Sequence, residues 1–303
     1  MNRPLVGALA TAVLGATALA GTAGTAHAAT TSDAADRGAA RTATAPQLAT
    51  VAQTAAPTAK AVTFAGTVAL SNCSGSIVRM PNSADNDPAL VMSNGHCLES
   101  GMPDPGEVVV DQPSSRSFTV LSASAGNLGT VRATKIAYAT MTDTDVSFYE
   151  LSSTYAQIKQ RYGIKALDIV TTHPAKGAGI TVVSGYWKKT YSCNIDGFVY
   201  QLKEGGYVMK DSLRYTPACK TIGGTSGSPV IDTASGKVAA INNTGNENGG
   251  RCTMNNPCEV DENGKVTARK GINYAQEIYT IPKCFGTGNK LDLGRAGCVL
   301  PKP

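Results

Sequence analysis

Residues 223–229 read Gly223-Gly224-Thr225-Ser226-Gly227-Ser228-Pro229. Glycines on either side of a serine let the backbone approach a bound molecule closely and turn its N–H groups toward one point. A serine hydroxyl becomes a useful nucleophile only with a base beside it. The sequence holds 3 histidines, His27, His96 and His173, and all precede Ser226. A base from downstream of the serine is thereby excluded. The segment Gly224-Thr225-Ser226-Gly227-Ser228 also fails G-x-S-x-G, which removes the strand–elbow–helix architecture built on that motif. An Asp, His, Ser order belongs with alternating strands and helices, and the chain lacks that alternation. The order left is His, Asp, Ser.

Outward from the heptad the pattern is one of short strands. Segments 64–70, 76–80, 107–110, 118–121, 131–139 and 146–151 are rich in β-branched residues and bounded by Gly, Pro, Asn or Ser. One helix interrupts them: Ser152 or Ser153 is placed to cap it, Tyr155, Ile158 and Tyr162 recur at helical spacing, and Gly163 stops it. A second run follows at 167–170, 179–183, 197–202, 208–213, 229–231, 238–241 and 272–278. Two runs of about six strands around one helix predict an all-β protein made of two antiparallel barrels or sandwiches.

The candidate partners of Ser226 lie in the first run. His96 sits in Met92-Ser93-Asn94-Gly95-His96-Cys97, directly after an apolar strand, and Asp145 opens a strand in Thr144-Asp145-Val146-Ser147-Phe148. With these three motifs in this order, the stretch from about Phe64 to Tyr279 resembles the chymotrypsin-like (trypsin-like) serine peptidase family. The resemblance implies two six-stranded β-barrels, about 62–151 and 164–283, within a peptidase domain spanning 62–283. It implies roles as well. Ser226 would attack a carbonyl, His96 would take and return its proton, and Asp145 would hold the imidazole tautomer. The N–H groups of Gly224 and Ser226 would form the oxyanion hole. It further implies a disulfide from Cys73 to Cys97. The second half is most similar to the glutamyl endopeptidase branch, in Ile180-Thr181-Val182-Val183-Ser184-Gly185-Tyr186 and the serine heptad. That branch's specificity histidine aligns near Asn242, so fold and reaction carry over while the glutamate preference stays open; acidic or small-to-medium polar or apolar residues are the expected preference.

The pocket implied by the motif match is walled by Lys220-Thr221-Ile222 and by Ala240-Ile241-Asn242-Asn243-Thr244-Gly245. Thr221, Asn242, Asn243, Thr244 and Gly245 are its candidate substrate-binding residues, with Thr221 and Asn242 free to hydrogen-bond a substrate side chain. Thr225, not an aspartate, precedes the serine. Activation by an inserted N-terminal amine therefore has no carboxylate to receive it, and because no aspartate stands at the pocket-base position either, cleavage after Lys or Arg is expected to be poor. Nearby alternatives read as ordinary structure: Asp143 as a solvated turn residue, His173 as a loop histidine, Lys220 as a surface lysine, and Asp85-Asn86-Asp87 as a polar turn rather than a calcium loop.

The remaining features bound the setting. Arg3, the apolar stretch 5–20 and Ala26-His27-Ala28 read as an export signal over 1–28, and the Ala/Thr/Pro-rich stretch 29–61 as a disordered pro-segment or linker. All 8 cysteines follow, an even number that in an exported chain argues for four disulfides. Eight cysteines allow 105 connectivities, which spacing alone does not settle. Beyond Cys73–Cys97, pairing nearest neighbours along the chain gives Cys193–Cys219, Cys252–Cys258 and Cys284–Cys298, the last stapling a C-terminal tail over 284–303. No C-x-x-C occurs, and no metal or other cofactor is expected. The net charge of +5 over 303 residues forms no basic run, and no internal apolar stretch is long enough to span a membrane. These readings predict a secreted, monomeric serine endopeptidase acting on protein or peptide substrates, without nucleic acid or membrane partners. A catalytically silent binding protein on the same scaffold, or an esterase using the same triad, would be the alternatives.

Overall fold

The computed structural model describes residues 61–303. The export signal and the linker, except its last residue, lie outside them. The first half contributes strands β1 (Thr67–Ala69), β2 (Ser74–Arg79), β3 (Pro88–Ser93), β4 (Val108–Pro113), β5 (Ser117–Leu121), β6 (Asn127–Thr140) and β7 (Val146–Thr154), then helix α1 (Tyr155–Tyr162). Hydrogen bonding runs β1-β5-β6-β7-β3-β2 and returns from β2 to β1, closing an antiparallel six-stranded barrel; β4 adds onto β6. The second half contributes β8 (Leu167–Asp168), β9 (Gly179–Ser184), β10 (Lys189–Val199), β11 (Gln201–Glu204), β12 (Tyr207–Met209), β13 (Ser212–Tyr215), β14 (Pro229–Asp232), β15 (Val238–Gly245), β16 (Cys258–Val260), β17 (Val266–Ala268) and β18 (Asn273–Glu277). Six of these close a second barrel in the order β10-β13-β18-β15-β14-β9. The two-barrel, all-β expectation holds, with α1 as the single α-helix among the described residues.

Each barrel fills its interior from one face of its strands. Along β10 the buried positions Tyr191, Cys193, Ile195 and Val199 follow a period of two, as a strand wetted on one side requires. Ile77, Val91, Phe118, Val120 and Tyr149 fill the first barrel; Val182, Ile195, Leu213, Tyr215 and Val230 fill the second. A third cluster joins the barrels and the tail: Met92, Tyr138, Phe148, Val183, Ile241, Phe285 and Leu300. The tail is held there by Cys284–Cys298, by Phe285 packed 5.1 Å from Phe148, and by the Tyr138 hydroxyl donating to the Pro301 carbonyl at 3.0 Å. All four expected disulfides are present.

Three local expectations need correction. The helix cap is Thr154, not Ser152 or Ser153, which lie inside β7. Thr154 accepts from the Gln157 N–H at 3.2 Å while Gln157 accepts from the Thr154 N–H at 2.9 Å. This reciprocal pair satisfies two donors that a serine one residue earlier cannot reach. Gly163 ends the helix as expected, at φ 69°. The expected strands 197–202 and 208–213 are in fact four: β10 runs on to Val199, β11 and β12 form a hairpin, and β13 begins at Ser212. That hairpin pairs with β16 and β17 in a separate four-stranded sheet, β12-β11-β16-β17, which the strand reading did not foresee.

Candidate active site

The site is assembled from three turns at the seam between the barrels. β3 delivers His96 on a single 3-10 turn, Gly95–Cys97, which the Cys73–Cys97 disulfide ties back to the start of β2. Asp145 immediately precedes β7, the strand that pairs with β3, so strand pairing brings acid and imidazole together. The His96 Nδ1 lies 2.6 Å from Asp145 Oδ2, and the His96 backbone N–H donates to Oδ1 at 3.1 Å. A carboxylate only accepts, so Nδ1 carries the proton and Nε2 is left as the basic nitrogen. Asp145 is 1% exposed. Burial opposes the charged form of His96, but the charge and hydrogen bond of Asp145, with the charge of Glu204, outweigh it and raise the imidazole pKa.

Ser226 occupies the third turn, between the bend at Gly223–Gly224 and β14. The turn needs left-handed backbone at Gly224 (φ 84°) and Gly227 (φ 77°). A Cβ on Gly227 would run into the Ser74 carbonyl and the Ser93 hydroxyl, so the tight packing here also demands glycine. Ser226 is half-buried; its hydroxyl donates to the Asn243 carbonyl at 3.2 Å, and His96, Asp145 and Ser226 line one cavity. Among the described residues the backbone N–H groups of Gly224 and Ser226 have no acceptor, whereas those of Thr225, Gly227 and Ser228 do.

The comparisons with known proteins can now be set beside this geometry. The model of the trypsin-like peptidase domain matches residues 73–241, more than half of the chain. The chain belongs to the trypsin-like peptidase family. The match names the trypsin-like peptidase domain and does not single out the glutamyl endopeptidase branch. No curated protein matches. Among solved structures, the MamO protease domain of Magnetospirillum magneticum is 15% identical, covering 72% of this chain and 95% of its own, with a TM-score of 0.44. Cellulomonas bogoriensis chymotrypsin is 14% identical, covering 73% and 92%, at 0.40. The family assignment rests on the domain match alone.

In this trypsin-like peptidase a side chain outside the sequence reading joins the three turns. Asn94, 0% exposed, donates through Nδ2 to the Asp145 carbonyl at 2.8 Å and accepts through Oδ1 from the Gly227 N–H. Its own carbonyl accepts from the Ser147 hydroxyl at 2.8 Å. The turns carrying His96, Asp145 and Ser226 are thus registered by one buried amide. Asn94 was visible in the His96 motif, but asparagine in a turn carries no mark of such a role.

The candidate pocket residues are brought together. Thr221, Asn242, Asn243, Thr244 and Gly245 all line the cavity; Lys220 is exposed and does not. Asn242 is not free for substrate, however. Its Oδ1 accepts from the Tyr215 hydroxyl at 3.2 Å and its Nδ2 donates to Thr225 Oγ1 at 3.1 Å, all three side chains being buried. Thr225 in turn donates to the Ile222 carbonyl, so the residue before Ser226 is satisfied without any charge. Asn273, below Gly245, adds a polar wall and donates to the Cys219 carbonyl at 3.0 Å. The other side of the cavity is Met102, Met141, Glu204, Tyr207, Met209 and Met254, largely from the unforeseen four-stranded sheet and its loops. Glu204 is buried there, accepting from the Asn255 N–H at 2.7 Å; burial raises its pKa.

Asp143, at φ 59°, is not a free turn residue: its backbone bridges to Met209 at the end of β12, and its carboxylate pairs with Lys210 at 2.8 Å. His173 lines a different cavity beside Glu277. Asp85 pairs with Arg79, and Asp87 accepts from the Ala84 N–H. The cluster Cys73, His96 and Cys97 has metal-like spacing, but its two sulfurs form a disulfide and offer no thiolate.

Proposed function

We propose that this trypsin-like peptidase is a secreted serine endopeptidase working through Asp145, His96 and Ser226. The observation that carries this reading is a buried carboxylate 2.6 Å from Nδ1 of an imidazole that shares one cavity with Ser226, whose backbone N–H, like that of Gly224, has no acceptor among the described residues. When substrate enters, the Ser226 hydroxyl turns from Asn243 toward His96 Nε2; such hydrogen bonds commonly align only in the complex. Ser226 Oγ then attacks the scissile carbonyl as Nε2 takes its proton. The N–H groups of Gly224 and Ser226 receive the oxyanion, and Asp145 stabilises the imidazolium. Nε2–H protonates the departing amine, leaving an acyl-enzyme that water clears by the same steps. Secretion is supported by four disulfides, and no helix among the described residues is long and apolar enough to cross a membrane.

The wall formed by Thr221, Asn273 and residues 242–245 is polar and carries no carboxylate, which supports a preference against Lys and Arg there; the carboxylates lining the same cavity are Asp145, Glu204 and Glu247. Thr225, satisfied by its own neutral hydrogen bonds, supports activity that needs no inserted amino terminus. The test is labelling with a fluorophosphonate together with a peptide-library digest. Label on Ser226, and hydrolysis lost by about 10⁴–10⁶-fold in Ser226→Ala and His96→Ala, are the expected results. Undiminished hydrolysis in folded Ser226→Ala would overturn the mechanism, and dominant cleavage after arginine would overturn the pocket reading.

A further inference from the structure

The Gly223–Gly224 peptide, which would supply one oxyanion donor, is held through its carbonyl by an aromatic side chain. The indole Nε1–H of Trp187 donates to the Gly223 carbonyl at 2.7 Å. Because a trans peptide points its C=O and N–H in opposite directions, anchoring that carbonyl on the indole sends the Gly224 N–H the other way. The next carbonyl is anchored too, Gly224 O accepting from the Ser74 hydroxyl at 3.2 Å. The turn bearing Trp187 is pinned by the same network. Ser74 and Ser184, both buried, lie 3.1 Å apart through their hydroxyls, and these accept from the backbone N–H groups of Tyr186 and Trp187 at 3.1 and 3.2 Å. The rings of Tyr186 and Trp187 close over Gly224, lying 2.9 and 3.0 Å from where its Cβ would stand. Yet Trp187 is 49% exposed, so its ring is not there to fill a core.

We infer that Trp187 is a positioning residue that fixes the orientation of the Gly223–Gly224 peptide, and so keeps the Gly224 N–H ready for the oxyanion before substrate arrives. A glycine pair has little intrinsic preference between the two orientations of the peptide it shares. One hydrogen bond to the carbonyl therefore decides which way the Gly224 N–H points. Thr225 gives this turn no charge to be pulled into shape by, and the indole takes over that ordering. The inference rests on the function proposed above, because it assigns Trp187 an effect on that site's oxyanion donor.

The test has one arm that needs no activity. Trp187 is the only tryptophan in the sequence, so its indole N–H is a single assignable NMR resonance. Slow exchange with solvent is expected in spite of the ring's exposure; exchange at the rate of free indole would refute the hydrogen bond, whatever the enzyme does. The second arm is Trp187→Phe, which keeps a ring and removes the donor. The expected result is kcat per titrated site reduced by about 10-fold or more, bounded by the ~10²–10³-fold cost of losing an oxyanion donor outright. KM should change little, and affinity for a peptide aldehyde should fall in parallel with kcat. A merely structural role would lower the melting temperature or the titratable fraction instead, and unchanged kcat per site would overturn the inference. Wild-type protein whose Ser226 neither labels nor hydrolyses peptide would instead defeat the proposed function, while the exchange measurement still decides the hydrogen bond.

Discussion

His96 shows how much of the site's behaviour is set at the scale of one residue. Its imidazole is raised above the ordinary histidine value, with burial opposing the charge and Asp145 and Glu204 more than restoring it. Only the neutral ring can act as a base, so activity should rise with pH through a value above about 6.5. Glu204 favours the protonated ring. Its replacement in Glu204→Gln removes that support, lowers the His96 pKa and moves the acid limb of the kcat/KM profile to lower pH. A pH–rate profile that does not move would show that Glu204 has no electrostatic hold on the base. His96, Asp145 and Ser226 were legible because the chemistry restricts the residue types and the chain offers few histidines. Glu204, Asn94 and Trp187 were not legible, since a glutamate, an asparagine and a tryptophan have many ordinary uses and only their neighbours distinguish them.

At the scale of elements, the nucleophile turn and β15 are locked by the set Tyr215, Asn242 and Thr225. Asn242 carries the hydrogen bonds that hold the turn rather than a free donor for substrate. Asn242→Ala strands a fully buried Tyr215 hydroxyl, and a buried polar group without a partner costs about 1–3 kcal/mol. A loss of stability of that order in urea unfolding, with the ranking of cleaved residues unchanged, is the expected outcome. A changed ranking with undiminished stability would return Asn242 to the substrate. The element boundaries that sequence reading missed share one cause. The 197–213 region alternates and turns like barrel strands, but the β11–β12 hairpin leaves the barrel because β11 pairs with β16, more than 40 residues later, and β17 extends that sheet beyond β16. Strand type is local; the choice of partner is not.

Across the whole molecule the clearest pH-sensitive element away from the site is Glu277, at the end of β18. Burial first, and then the charge of Asp211, push its pKa up to about 8, and its carboxylate is 3% exposed with His173 Nε2 at 3.3 Å. A carboxyl whose folded pKa is raised holds its proton in the folded state after the unfolded chain has released it. Its contribution to stability is therefore complete below the unfolded value near 4.5 and is lost as pH rises toward 8. Each pH unit inside that window is worth at most about 1.4 kcal/mol. The melting temperature should fall between pH 5 and pH 8, and Glu277→Gln, which cannot ionise, should flatten that fall. Equal slopes for the two proteins would contradict the assignment.

The sequence by itself determined the class of fold, the three residues of the candidate triad and the helix stop at Gly163. Each of these follows from constraints that act over short spans or from a scarce residue type: period-two burial, a left-handed turn, a histidine in limited supply. The disulfide pairs are those expected, but spacing did not settle them: Cys73–Cys97 came from the family resemblance and the other three from pairing nearest neighbours. The tertiary structure alone decided the four-stranded sheet behind the cavity, the engagement of Asn242, the bridge through Asn94 and the indole behind Gly223. These depend on contacts between segments far apart in the chain. Asn94 and Gly227 are separated by 133 positions, and Trp187 and Gly223 by 36. Which side chain meets which carbonyl across such distances is settled only when both barrels have closed and their seam has packed.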